Sequence, residues 1–304
     1  MIHHLSTRQH DYTIRGLLAG VGAALADRIR VHAYEDVLDR HPADLPDGTW
    51  IFTDYDRLPA DDSARAARLW HGLAGRGCRM MNHPTRSLRR FALLRALHAA
   101  GVNGFDAIAI DDRRAPARFP VFIRRADAHA GPASQLLAGR EAYDRALASM
   151  RARAWALHSF IAVEFCDGRG ADGLYRKYGA IKIGPAIVAQ HLLATTEWIA
   201  RRGGQGVWTE ERIEDERRYV EDNPHRAAIA RAFEIAGVDY GRIDYCLRDG
   251  RVQVFEINSN PSFVRGGSTG ALRHAAAAIA NGRIVDAFAR LAGGDGAPCT
   301  GAAP

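Results

Sequence analysis

With 304 residues, 47% of them hydrophobic and 25% charged, the chain can bury a large core, enough for two or three subdomains around one cleft. No apolar run approaches the roughly 20 residues that span a bilayer, and Met1-Ile2-His3-His4-Leu5-Ser6 lacks the basic-then-apolar layout of a secretory signal, so the expected location is the cytoplasm, with no membrane partner. The net charge of +6 does not point to nucleic acid: 39 of the 41 basic residues are arginine, Lys177 and Lys182 being the only lysines, and they are interleaved with acids as in Glu210-Glu211-Arg212.

Along the chain, residues up to about Asp11 read as a loose end, and Ile14 to Ile29 is apolar at helical spacing. Gly20-Val21-Gly22 then falls within a helix; with no strand predicted before it, a dinucleotide loop is a poor reading. Trp50 to Thr53 reads as a strand, Ser63 to Ala74 as a helix capped by Ser63, and Cys78 to Asn82 as a second strand stopped by His83-Pro84. Leu88, Phe91, Leu94 and Leu97 mark a helix from Ser87 to Ala100. Phe119 to Arg124 is a strand running into a small-residue loop, Ala126 to Ser134. A helix from Glu141 to Arg153 leads to the apolar strand Phe160 to Phe165. Arg176 to Ile183 is another strand, ended by Gly184-Pro185, and Glu210 to Ala236 is helical with a break near Asn223-Pro224. A last helix runs from His274 to Ala292, before a tail rich in glycine, alanine and proline that composition marks as disordered. The four cysteines, Cys78, Cys166, Cys246 and Cys299, form no C-x-x-C pair, which argues against a zinc site or a disulfide framework.

The chemistry concentrates in Gly241-Arg242-Ile243-Asp244-Tyr245 and Phe255-Glu256-Ile257-Asn258-Ser259-Asn260-Pro261. Residues two apart on a strand share a face, so Arg242 joins Asp244 and Glu256 joins Asn258. A three-residue loop, Arg248-Asp249-Gly250, would pair Leu247 with Arg251 and Arg242 with Glu256. Ile243, Tyr245, Leu247, Phe255 and Ile257 would then form the apolar back of the hairpin. A patch of carboxylate and amide oxygens on an apolar support suits magnesium, which takes a few such ligands and completes its octahedron with phosphates.

An R-x-D strand followed by E-x-N and a proline resembles the C-terminal signature of the ATP-grasp superfamily, in particular its D-alanine–D-alanine ligase, glutathione synthetase and RimK-like branches. The resemblance implies a mixed α/β and α+β protein: an N-terminal α/β (pre-ATP-grasp) domain over 1–85, a central lobe with a phosphate lid loop over 86–165, a C-terminal lobe with the metal-binding hairpin over 166–293, and the tail 294–304. It implies ATP and Mg2+ as cofactors, with Asp244, Glu256 and Asn258 as metal ligands and Arg242 facing the transferring phosphate. The family places two lysines on the phosphates. Counting from Met81-Asn82-His83-Pro84 and Gly101-Val102 puts Arg90 at one position, and the end of Pro120-Val121-Phe122-Ile123-Arg124 puts Arg124 at the other. Both are arginine here, which keeps the charge and can grip phosphate bidentately, though it is bulkier than lysine. His129 in the lid and Lys177, in a segment with Asp172 and Arg176, would reach phosphates or ribose. The end of the hinge strand, Glu164, Phe165 and Cys166, would meet adenine through backbone groups and an apolar surface. Gly266-Gly267-Ser268-Thr269 would lie beside the site. The implied reaction is ligation of a small-molecule or peptide carboxylate to an amine, or less often a thiol, through an acyl phosphate. A phosphotransferase and a nucleotide binder without turnover are the alternatives, and a homodimer is admitted.

Overall fold

Strand β1 (Ile2–Ser6) is buried at all five positions and lies inside a four-stranded parallel sheet, where the sequence predicts a loose end. It is flanked by β2 (Ile29–Ala33) and β3 (Thr49–Phe52), with β4 (Arg79–Met81) beyond β3. Two consecutive histidines disguise the strand. His4 is fully buried, and His3 stacks on Trp50 at 4.6 Å while its Nδ1 meets His32 Nε2 at 3.0 Å. The protein is described by a computed structural model over residues 1–111, 114–127, 131–199, 206–263 and 270–293. None of its described helices is long and apolar enough to cross a membrane.

The predicted helix from Ile14 to Ile29 divides. Helix α1 (Tyr12–Leu18) stops where the amides of Gly20 and Gly22 both return to the Leu17 carbonyl. A Cβ at Gly22 would meet Leu17 Cγ at 2.9 Å, so the close turn needs glycine there. The G-x-G segment thus ends a helix rather than opening one, although β1 does precede it. A single turn, α2 (Tyr34–Val37), follows β2. Helix α3 (Ala60–Gly75) starts after Pro59, so Ser63 is not its cap; Ser63 Oγ donates to the Leu58 carbonyl and accepts from Arg89.

Helix α4 (Arg90–Ala99) and α5 (Arg140–Ala152) flank a three-stranded antiparallel sheet, in which β7 (Phe160–Glu164) lies between β5 (Ala107–Ala109) and β6 (Val121–Arg125). The third sheet has the order β11-β10-β8-β9 and is antiparallel throughout. Its strands are β8 (Tyr175–Ile183), β9 (Ala186–Thr195), β10 (Tyr240–Arg248) and β11 (Arg251–Asn258). The sequence reading stops at Gly184-Pro185, but there the chain turns, with Gly184 at φ 58°, and returns as β9. Helices α6 (Glu210–Asp222), α7 (Arg226–Ala236) and α8 (Gly270–Gly293) complete the fold; Val220, Phe233 and Ala280 pack with Ile243 and Tyr245 of β10.

Asn82 fastens the first sheet to the third. Its Nδ2 donates to the carbonyls of Phe52 and Tyr240, and its Oδ1 accepts the amides of Asp239 and Tyr240. Four satisfied bonds on a residue only 2% exposed hold the start of β10 in place.

Candidate functional site

The β10–β11 hairpin turns on two residues, not three. Asp249 and Gly250 both take positive φ, 52° and 72°, and Arg248 pairs with Arg251. Such two-residue loops match the right-handed strand twist. The register therefore differs from the expected one: Asp244 lies opposite Glu256, and Arg242 opposite Asn258. A bulge leaves Phe255 unpaired, so its ring turns from the apolar back to the site side, among Phe105 and Cys246. The four polar residues still share one face.

That face lines a cavity of about 1160 Å3 where the three sheets meet. One row crosses the third sheet from edge to edge, Glu256–Asp244–Gly179–His191. A Cβ on Gly179 would come within 2.2 Å of His191 Cε1, so the histidine ring lies over the glycine toward Asp244.

Each carboxylate is matched by cations. Asp244, 2% exposed, meets Lys177 Nζ at 3.1 Å and Arg242 Nε at 2.9 Å. Burial alone would raise its carboxyl, but Arg242, Lys177 and His191 outweigh burial and hold it well below the usual carboxylate range. Arg242 thus pairs along its own strand rather than across to Glu256, and its Nη1 donates to the Ser262 carbonyl at 3.4 Å. Glu256 meets Arg90 Nη2 at 2.5 Å and Arg124 Nη2 at 3.6 Å. Burial, then the charge of Arg90, brings Arg124 down to about 10. Asn258 Oδ1 accepts the Asn260 amide at 3.0 Å.

Asp244, Glu256 and Asn258 offer only oxygens, the donor set that magnesium prefers. Among the described residues no three His, Cys, Asp or Glu side chains gather into a metal cage. Two carboxylates and an amide fit a cation that takes few protein ligands and fills its shell with phosphate and water.

At the end of β7, the Glu164 carboxylate accepts the Asp106 amide at 3.0 Å and the Arg118 guanidinium, so it braces the strand end against the segment before β5. The Phe165 amide is taken by the Pro120 carbonyl at 2.9 Å, and the ring of Phe165 faces the cavity beside Trp198. Cys166 lines the wall too, its Sγ 4.0 Å from Cys246 Sγ, a neighbour 80 positions away that no C-x-x-C spacing marks. Asp172 and Arg176 bind each other at 2.6 Å. His129 and the Gly266–Thr269 loop lie outside the described residues.

Sequence reasoning missed the contribution of the first sheet. Asp54, at the end of β3, is buried with a left-handed φ of 53°. Its Oδ2 accepts from Thr7 Oγ1 and Asn260 Nδ2, both at 2.9 Å, and Arg57 Nε lies 3.2 Å from Oδ1. Ser259 Oγ donates to Asp56 at 2.8 Å. Asp54 and Asn260 are 206 positions apart, and no local pattern links them.

No protein-family model and no curated protein matches the sequence. Solved structures do match. The D-alanine–D-alanine ligase from Bacillus anthracis complexed with ATP superposes with a TM-score of 0.53 at 12% identity, over 97% of this chain and 99% of that one. The ATP-grasp ligase PsnB complexed with a minimal precursor gives 0.56 at 14% identity, over 95% and 98%. The D-alanine–D-alanine ligase from Coxiella burnetii gives 0.51 at 12%, over 95% of each chain. At these identities the likeness speaks for architecture, and it covers nearly the whole molecule: this chain has the ATP-grasp fold.

Proposed function

We propose that the protein is an ATP- and Mg2+-dependent ligase that joins a carboxylate to an amine, or to a thiol, through an acyl phosphate. The observation that carries this reading is the pairing of each site carboxylate with cations a triphosphate would also bind: Glu256 with Arg90 and Arg124, Asp244 with Lys177 and Arg242. Phosphates arriving in the cavity compete for these cations, and the oxygens of Asp244, Glu256 and Asn258 then become available to magnesium. Bound magnesium would neutralise phosphate charge and fix the geometry of the triphosphate. Arg90 and Arg124 hold the outer phosphates, with Lys177 beside them. Arg242, fixed by Asp244 and the Ser262 carbonyl, directs its charge at the transferring group. Phe165, Phe122, Cys166 and Trp198 form the apolar wall for the purine. In this reading 1–85 is the domain that closes the substrate end, and 86–165 and 166–293 are the two lobes that hold ATP.

Product analysis tests the proposal. Incubated with Mg·ATP and paired amino acids or short peptides, the protein is expected to release ADP and phosphate in step with a new amide. A stable phosphorylated product would make it a phosphotransferase instead, and nucleotide binding with no substrate-stimulated ADP release would make it a binder.

A further inference from the structure

Two thiols meet in the wall of the cavity. Cys166, two residues past the end of β7, and Cys246, inside β10, are both buried and both line that wall. Their sulfurs are 4.0 Å apart. Leu94, Phe105, Ile161 and Val163 pack with them, so the three-stranded sheet and the third sheet are joined at this point. The approach depends on Gly168: a Cβ there would meet Cys246 Sγ at 2.8 Å, and a bare backbone lets the segment after β7 lie this close to β10. The two thiols differ in character. The hydrogen bond from Cys246 lowers the Cys166 thiol, with burial opposing and the charge of Arg248 assisting, whereas the same bond and burial raise Cys246. Cys166 is thus the nucleophile of the pair, and Cys246 keeps its proton. Cys78, by contrast, turns its Sγ to Asp47 Oδ1 at 3.7 Å and has no second sulfur beside it among the described residues.

We infer that Cys166 and Cys246 form a modification site that takes a peroxide and closes to an intramolecular disulfide, and that this disulfide and a bound nucleotide disfavour each other. The Cys166 thiolate attacks one peroxide oxygen, the O–O bond breaks, and hydroxide leaves with the proton the thiol gave up, as water. The sulfur of Cys246 then attacks the sulfenic acid on Cys166; the S–S bond forms, and the displaced hydroxide takes the Cys246 proton as a second water. Two thiols are oxidised by two electrons, and one peroxide is reduced to two waters. Closing the bond brings the sulfurs together by about 2 Å. That movement pulls the segment after β7 toward β10, and Phe165, next to Cys166, carries part of the apolar wall beside Trp198. A densely packed wall does not absorb such a shift without changing shape. The nucleotide half of this inference rests on the proposed reading of the cavity as an ATP site, and the disulfide itself does not.

Peroxide treatment followed by peptide mapping tests the pair without requiring turnover. Reduced wild type, Cys166→Ser and Cys246→Ser are exposed to hydrogen peroxide with and without Mg·ATP, free thiols are blocked, and the chains are cut with trypsin. Cleavage at arginine puts the two thiols on separate peptides, 154–169 and 243–248, apart from Cys78 and Cys299. Wild type is expected to give these two peptides linked, with the loss of two hydrogens, in a chain that stays monomeric on a non-reducing gel. Saturating Mg·ATP should slow the linkage several-fold. Cys246→Ser should stop at a sulfenic acid on Cys166 that dimedone captures, and Cys166→Ser should leave Cys246 unmodified. In calorimetry oxidised wild type should bind Mg·ATP about tenfold more weakly than reduced wild type, the size of an ordinary coupling between two sites. Dithiothreitol should restore the affinity, and peroxide should leave the affinity of either variant where it started. Unlinked peptides in oxidised wild type, linkage only between chains, or a complete disulfide with unchanged ATP affinity would overturn the inference. Failure of reduced wild type to bind Mg·ATP would instead overturn the proposed function, and the linked peptide would still decide for or against the thiol pair.

Discussion

Arg90 on α4 and Glu256 on β11 meet at 2.5 Å although 166 positions separate them in the chain, and the arginine side chain is only 6% exposed. The pair ties α4 to the strand carrying two of the three proposed metal ligands. Arg90 Nη1 also reaches the carbonyls of Arg125 and Ala126, at the end of β6. One guanidinium thus touches the hairpin and the end of β6 together. Removing one partner of a buried pair typically costs about 3–5 kcal/mol, and Arg124, 3.6 Å from Glu256, should soften the loss. Arg90→Met is accordingly expected to lower stability by about 2–3 kcal/mol and to weaken ATP. Urea unfolding with and without Mg·ATP checks this; unchanged stability would reduce the pair to a passive contact.

Arg124 should act on the outer phosphates and not on the base. Arg124→Ala is expected to weaken ATP by roughly 1.5–3 kcal/mol while AMP is nearly unaffected, and Arg124→Lys should be better tolerated. Calorimetry with both nucleotides decides, and equal losses would move Arg124 out of the phosphate clamp.

Acid should weaken the fold through β1. Unfolded, His4 takes a proton near pH 6.5; folded, burial first and the charge of His32 next push it down to about 3. Between those values the unfolded chain binds more protons, so the stability from neutral His4 is full above pH 6.5 and declines as pH falls toward 3. His4→Leu should lose less stability between pH 7 and pH 5 than wild type does. Equal losses in urea titrations would remove His4 as the source.

The apolar wall can be probed through its thiols. Cys166 and Cys246 are buried and line the cavity. If adenine lies there, Mg·ATP should slow alkylation of both by N-ethylmaleimide several-fold, without protecting Cys78, which packs against the first sheet. Mass mapping of the alkylated peptides reads this directly. Uniform rates with and without nucleotide would place the base elsewhere.

Much of the hairpin was legible because period-two alternation and four polar residues at matching spacing mark a strand face whatever the turn. Its register was not, because Asp249 shares the left-handed turn with Gly250, and a bulge at Phe255 then restores the shared face. β1 was hidden by His3 and His4, because Trp50 and His32 arrive from other strands to cover the first and Tyr240 stands edge-on to the second. β9 was hidden behind Gly184-Pro185, a signal that ends a strand and turns a hairpin equally well. Arg90, reached by counting, does meet Glu256. Asp54, Arg57 and His10 carried no motif, since only the docking of the first sheet on Asn260 brings them to the cavity.

Arg242 separates structure from chemistry. Its bond to Asp244 at 2.9 Å would make it a structural partner, whereas its proposed role is to stabilise charge in transit. Arg242→Met should cut the single-turnover rate by roughly a hundred- to thousand-fold, about 3–4 kcal/mol, with ATP affinity little changed. A lowered melting temperature with an unchanged rate would leave Arg242 as a strand residue.

The most direct measurement is calorimetric titration of ATP with and without magnesium into wild type, Asp244→Asn, Glu256→Gln and Asn258→Ala, each shown by circular dichroism to be folded. Wild type is expected to bind ATP tightly only with magnesium, and each variant to lose most of that magnesium-dependent gain. Magnesium-dependent binding that persists undiminished in all three folded variants would contradict the assignment of the hairpin as the metal and nucleotide site.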